Sequence, residues 1–171
     1  INALLRSLQI EPDFGLKSAR PDTQLDYIHR STEEAEVYFV ANRLARHGID
    51  DFKYRYLTDV PDRYEAVECS FRVGNSIPEI WDPVSGTSFE ITAFREEQGR
   101  TIIPLHFAPE GSKFIIFRKG NAGRHITGIR KDGEDIFPMR GDHRVSSDPP
   151  IRFDKNGEVI SADVFEAGRY T

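Results

Sequence analysis

The sequence predicts an all-β chain: an antiparallel β-sandwich of jelly-roll character, preceded by a short N-terminal helix. Three observations carry this expectation. About ten short strand candidates follow one another at close spacing. The run Tyr64 to Val73 alternates, with Val67, Cys69, Phe71 and Val73 set against Ala66, Glu68, Ser70 and Arg72, as a half-buried antiparallel strand does. The dipeptides Asp132-Gly133 and Asn156-Gly157 lie between strand candidates and carry the chemistry of tight hairpins.

Taken in order, residues 1–24 read as a helix and a lead-in loop. Leu4, Leu5, Leu8 and Ile10 have near-helical spacing within Ala3 to Ile10; Asn2 can cap this helix and Pro12 ends it. Glu11 to Gln24 carries Pro12, Gly15 and Pro21 and reads as loop. Residues 25–118 form the sandwich domain. It opens on Leu25 to Arg43, a strand, a polar turn at Ser31 to Glu34 and a second strand. Val37, Tyr38, Phe39 and Val40 do not alternate, which predicts a central strand covered on both faces, with Phe39 in a core. Leu44 to Arg63 is charged and irregular, with room for an edge strand around Phe52 to Leu57.

Ile77 to Trp81 is a short strand, and Asp82 to Gly86 a turn. Pro83 fixes its own φ, Asp82 can bond the backbone two residues on, and Gly86 tolerates positive φ. Phe89 to Arg95 and Arg100 to Phe107 flank Glu96 to Gly99 as a hairpin, and Ser112 to Arg118 is another apolar strand. Residues 119–171 begin with a linker-like run at Gly120 to Gly123. Further short strands follow at His125 to Arg130, Glu134 to Phe137, Ile151 to Phe153 and Glu158 to Ala162, with a loop at Met139 to Pro150. They either start a second β-domain or pack onto one.

The chain has 171 residues, 38% hydrophobic and 30% charged, with a net charge of −5. An acidic chain without a Lys/Arg run argues against nucleic acid as a partner. No apolar run approaches the roughly 20 residues of a membrane span. Cys69 is the single cysteine, so it forms no internal disulfide, and its alternation places it in the core. The five histidines are scattered without a ligand pair, so no metal is expected, and no phosphate loop or nucleophile elbow calls for a cofactor or a serine mechanism. The start at Ile1 and the strand-like Phe165 to Thr171 predict a piece of a longer polypeptide.

No catalytic residue is assigned. Carboxylates such as Glu33, Glu34, Glu36, Glu96 and Glu97 supply a glycosidase pair by count, but their turn and strand positions suit solvated charge. Trp81 has two readings. The Asp82 to Gly86 turn is well specified without a ligand, which favours packing of the ring in the core or against the turn; an exposed ring would instead suit the C–H face of a pyranose. His29 and Arg30 offer donors at a strand end. Arg30 can hold a carboxylate or sugar hydroxyls, or pair internally with Glu33, Glu34 or Glu36. Trp81, His29 and Arg30 are therefore the candidate carbohydrate contacts.

Six segments in order give a resemblance. They are Tyr27 to Arg30, Ala35 to Asn42, Cys69 to Val73, Pro78 to Gly86, Ile102 to Leu105 and Gly111 to Arg118. This order resembles a β-domain segment of large bacterial glycoside hydrolases, above all the α-L-rhamnosidases of glycoside hydrolase family 106. There a strand ending in His-Arg leads to one reading VYFVSN, and a PELWDP-TG turn follows. The resemblance spans Pro12 to Arg118 and continues weakly through Gly133 to Pro138 and Phe165 to Thr171. Leu44 to Arg63 departs from it, being longer and more charged. It implies a multidomain, exported bacterial enzyme that cleaves polysaccharide in the periplasm or outside the cell. The acid and base carboxylates of such an enzyme lie in a preceding barrel, and none maps onto this sequence.

Three readings follow. The first is a non-catalytic sandwich giving structural support or weak binding to poly- or oligosaccharide, with other domains of the same polypeptide as partners. The second is a standalone glycosidase with its own carboxylate pair. The third is a protein-interaction module, which a flat exposed edge strand would favour.

Overall fold

The computed structural model describes residues 7–8, 11–18, 20–42, 64–137, 152–153, 159–161 and 169. Thirteen strands run through them, nine of these in two main antiparallel sheets. The five-stranded sheet has the order β2 (Leu25–Ser31), β3 (Ala35–Asn42), β9 (Ser112–Lys119), β5 (Ser76–Trp81), β6 (Ser88–Glu90). The four-stranded sheet has the order β1 (Phe14–Lys17), β4 (Glu65–Phe71), β8 (Arg100–Phe107), β7 (Arg95–Glu97). Two further antiparallel pairs form separate two-stranded sheets: β10 (Ile129–Lys131) with β11 (Glu134–Phe137), and β12 (Arg152–Phe153) with β13 (Val159–Ser161).

One continuous core lies between the two main sheets. Tyr38, Ile80, Ile115 and Phe117 enter it from one side, and Val67, Cys69, Phe71, Ile103, Leu105 and Phe107 from the other. Aromatic rings stitch it: Phe71 meets Phe117 at 5.2 Å between centroids and Phe14 at 5.4 Å. Cys69 is fully buried, and burial pushes its thiol far above the ordinary thiol range.

The all-β sandwich expected from the sequence is the observed fold. The helix expected over Ala3 to Ile10 lies outside the described residues, apart from Ser7 and Leu8. The edge strand around Phe52 to Leu57, the loop at Met139 to Pro150 and the Asn156-Gly157 turn also lie outside them. Glu11 to Gln24, expected as loop, contains β1, whose Phe14 pairs with Phe71. Strand β3 lies inside its sheet, between β2 and β9. Yet its two faces differ. Tyr38 and Val40 are fully buried, whereas Phe39 is half-buried on the outer face, 4.9 Å from Phe114 between ring centroids. The unbroken apolar run thus reflects a second, outer apolar surface and not a second core.

The run Phe89 to Arg95 is split rather than one strand. Ser88–Glu90 pairs with β5, and Arg95–Glu97 pairs with β8 in the other sheet. Residues 91–94 carry the chain across the sandwich, and Ile91, Ala93 and Phe94 are buried on the way. Gln98 (φ 51°) and Gly99 (φ 73°) then make the tight turn into β8, two left-handed residues as the right-handed strand twist requires. Asp132 (φ 51°) and Gly133 (φ 89°) do the same between β10 and β11. The stretch after Lys119 does not hang free: Ala93 bridges to Ile126, and His125 stacks on Phe94 at 4.1 Å.

Candidate functional site

Strand alternation sorts the three candidate residues. In β5, Pro78 and Ile80 are buried, whereas Ile77, Glu79 and Trp81 face outward. Trp81 is 40% exposed and is not a core residue, which corrects the expectation of a ring packed in the core. Its neighbour across the ladder is Phe114, whose other neighbour is Phe39, whose other neighbour is Ile28. A row of four apolar side chains therefore crosses the outer face of the five-stranded sheet.

The Trp81 ring is held at its polar edge. Its indole Nε1 donates to Glu79 Oε2 at 2.9 Å, and Arg118 Nε donates to Glu79 Oε1 at 2.7 Å. The Arg118 Cζ lies 5.9 Å from the Trp81 ring centroid, within cation–π reach. The strand ends directly after Trp81 in the expected turn. Asp82 Oδ1 accepts from the backbone N–H of Val84 (2.7 Å) and Ser85 (2.9 Å), and Gly86 has φ 71°. These two bonds are the leading cause that keeps the Asp82 carboxyl below its ordinary range. An indole of fixed orientation, beside a carboxylate and a guanidinium on a half-exposed sheet, can stack on an apolar ring face and exchange hydrogen bonds with hydroxyls.

His29 and Arg30 point to opposite faces. His29 lies on the inner side, at the rim where β2 meets the lead into β1. Its Nδ1 is 3.3 Å from Asp13 Oδ2, its Nε2 is 2.8 Å from Glu36 Oε2, and its ring stacks on Tyr38 at 4.1 Å. Arg72 also pairs with Asp13. Partial desolvation pulls the Asp13 carboxyl up, but the His29 bond and the Arg72 charge together outweigh it and hold it below its ordinary value. The Ser31 hydroxyl, at 2.6 Å, does most to lower Glu36, with His29 adding to it against desolvation. Burial first, and the charges of Asp13 and Glu36 next, push the Tyr38 phenol far up.

Arg30 donates to the carbonyl of His29 at 3.0 Å, and no carboxylate among the described residues forms an ion pair with it. The internal pairing expected for Arg30 belongs instead to His29, with Glu36. Arg30 shares the outer face with Trp81 but is three strand spacings across and two residues along from it, about 16 Å. The structure thus separates the three candidates: His29 in an ionic cluster between sheets, Arg30 at an edge, Trp81 on a fixed outward platform.

Two buried carboxylates escaped the sequence reading. Glu65 is 2% exposed and accepts from Thr23 Oγ1 at 2.9 Å; Glu68 is 3% exposed and accepts from Arg95 Nη2 at 3.2 Å. Arg95 also reaches Glu97 at 2.6 Å and lies 5.6 Å from the Phe137 ring centroid. For Glu65 the signal was present, since it is in phase with Val67, Cys69 and Phe71. Among the described residues, no cluster of three His, Cys, Asp or Glu could hold a metal ion, and no helix is long and apolar enough to cross a membrane.

An antiparallel sandwich with one aromatic ring turned outward is an architecture that hosts many unrelated functions, so the class is fixed by comparison with known proteins. Residues 1–96 match the model of the alpha-L-rhamnosidase family, glycoside hydrolase family 106, and the chain belongs to that family. It is similar in structure to a rhamnosidase from Novosphingobium sp. PP1Y, with a TM-score of 0.58 and 26% identity over 76% of this chain and 11% of that one. It is 31% identical over 121 residues to a Formosa agariphila protein named provisionally as a beta-glucuronidase. That match covers 70% of this chain and 8% of the relative. The chain therefore spans about a tenth of the length of the proteins it matches.

Proposed function

We propose that this chain is a non-catalytic β-sandwich within a larger glycoside hydrolase of the α-L-rhamnosidase kind, giving structural support and a weak carbohydrate contact at Trp81. The outward indole, fixed by Glu79 and Arg118, carries this reading. Support for the structural part comes from Asp13, Glu36, Glu68, Glu79 and Glu97, each bonded to a neighbour within the fold. On this reading the partners are oligosaccharide and other domains of the same polypeptide. The whole enzyme then acts in the periplasm or outside the cell, where polysaccharide is met.

Trp81 is the sole tryptophan, so its fluorescence reports directly on the site. Titration with rhamnose-containing oligosaccharides should shift the emission with a Kd on the order of 1 mM, and Trp81→Ala should abolish the binding heat seen by calorimetry. The chain alone should not hydrolyse an aryl rhamnoside. Turnover that disappears on changing one Asp or Glu would overturn the non-catalytic reading, and absence of any sugar response would overturn the contact at Trp81.

A further inference from the structure

The two main sheets have four edges, and three of them are short. Strand β6 has three residues, β7 three and β1 four. Short edges are one way in which sandwiches avoid pairing with other chains. Strand β2 is different: it has seven residues, no proline, and no register shift along β3. Ile28, at its centre, is 54% exposed.

Hairpin geometry shows which backbone groups this edge presents. The turn closes with Thr32 N–H donating to the Ala35 carbonyl at 2.9 Å, which makes that pair a hydrogen-bonded one. Alternation along an antiparallel ladder then turns Asp26, Ile28 and Arg30 toward β3. Leu25, Tyr27, His29 and Ser31 aim their N–H and C=O groups away from it. The His29 carbonyl accordingly accepts from the Arg30 side chain rather than from a strand.

We infer that β2 pairs with β2 of a second copy of this chain, antiparallel about a twofold axis at Ile28. This register places Ile28 opposite Ile28, and Asp26 of each copy opposite Arg30 of the other. Both cross-strand pairs then unite opposite charges on the outer face, whereas like charges in such positions repel. Tyr27 and His29 of the two copies become hydrogen-bonded pairs, which matches the direction of their backbone groups. The outer apolar row, Trp81 to Ile28, continues through the axis into its symmetry mate. A twofold contact requires a self-complementary surface, and this strand has one in both charge and hydrogen bonding. The product is a single ten-stranded sheet.

Sedimentation velocity over a range of concentrations tests this on the 171-residue chain. The wild type should show a concentration-dependent dimer. Asp26→Arg alone, or Arg30→Asp alone, puts like charges at both symmetry-related positions and should raise the dimer Kd about tenfold or more. The double exchange D26R with R30D should restore it. Thermal melts of each variant separate lost pairing from lost folding. A wild type that stays monomeric would overturn the inference, as would a dimer indifferent to the single reversals or not rescued by the double one. None of these outcomes bears on sugar binding at Trp81, which the fluorescence titration measures independently.

Discussion

Tyr38 and Phe71 meet edge to face at 5.0 Å between ring centroids, one from each sheet. Both are fully buried. Phe71→Ala should therefore cost about 3–5 kcal/mol, the range for removing a large buried aromatic. Phe39→Ala, on the adjacent residue of Tyr38 but the opposite face, should cost clearly less, about 1–2 kcal/mol, because the ring is only half-buried. Urea denaturation of both variants checks the order. Equal losses would show that the outer face is covered as fully as the core.

Trp81→Ala should change stability by no more than about 1–2 kcal/mol, since much of the ring already meets water and the lost contacts are a surface hydrogen bond and a cation–π pair. A fall in unfolding free energy as large as that of Phe71→Ala would mean that the ring acts as a core residue.

The cluster of Asp13, His29 and Glu36 makes a pH prediction. Both carboxyls are held below their ordinary values of 3.8 and 4.5 in the folded chain. A depressed carboxyl contributes stability that is present above its unfolded value and lost as pH falls through the folded one. Stability should thus decline from about pH 4.5 downward. The other charged groups facing the cluster are Arg72, Arg100 and Lys119. In His29→Ala the decline should be shallower, because each carboxylate loses a partner. Melting curves between about pH 3 and pH 7, which bracket the ordinary carboxylate range, measure it, and an unchanged slope in the variant would contradict the role given to His29.

Cys69 should be inert in the native protein. Its thiolate is the reactive form, and burial disfavours it. An aromatic disulfide reagent should label no thiol in buffer and one in denaturant. Rapid native labelling would require the sheet at β4 to open far more readily than its packing implies.

Where the determinants were local, the sequence could be read. The Asp82 to Gly86 turn, with its Asx bonds and left-handed Gly86, formed as its residue types dictate. So did the Asp132-Gly133 hairpin, and the buried face of β4 followed from strict alternation. What failed depended on distant pairing. Four residues of β1 are strand because Phe14 to Lys17 lie along Phe71 to Glu68, and nothing in their own composition shows it. The crossing at residues 91–94 is invisible in an apolar run that looks continuous. Trp81 faces outward because it shares parity with Glu79, a better guide to the ring than the well-specified turn that follows it. Of the three candidate contacts, the residue types were suitable, but adjacency in sequence concealed that His29 and Arg30 serve opposite faces.

The register of β3 has a consequence for synthesis. Its outer partner β2 is next to it in the chain, but its other neighbour is β9, with Val37 set against Ile116. A nascent chain emerging from the ribosome holds the β2–β3 hairpin long before β9 exists. During that interval Tyr38 and Val40 have no sheet to cover them, and β3 offers an open backbone to any strand nearby. Slow elongation through the residues between them would lengthen this exposure.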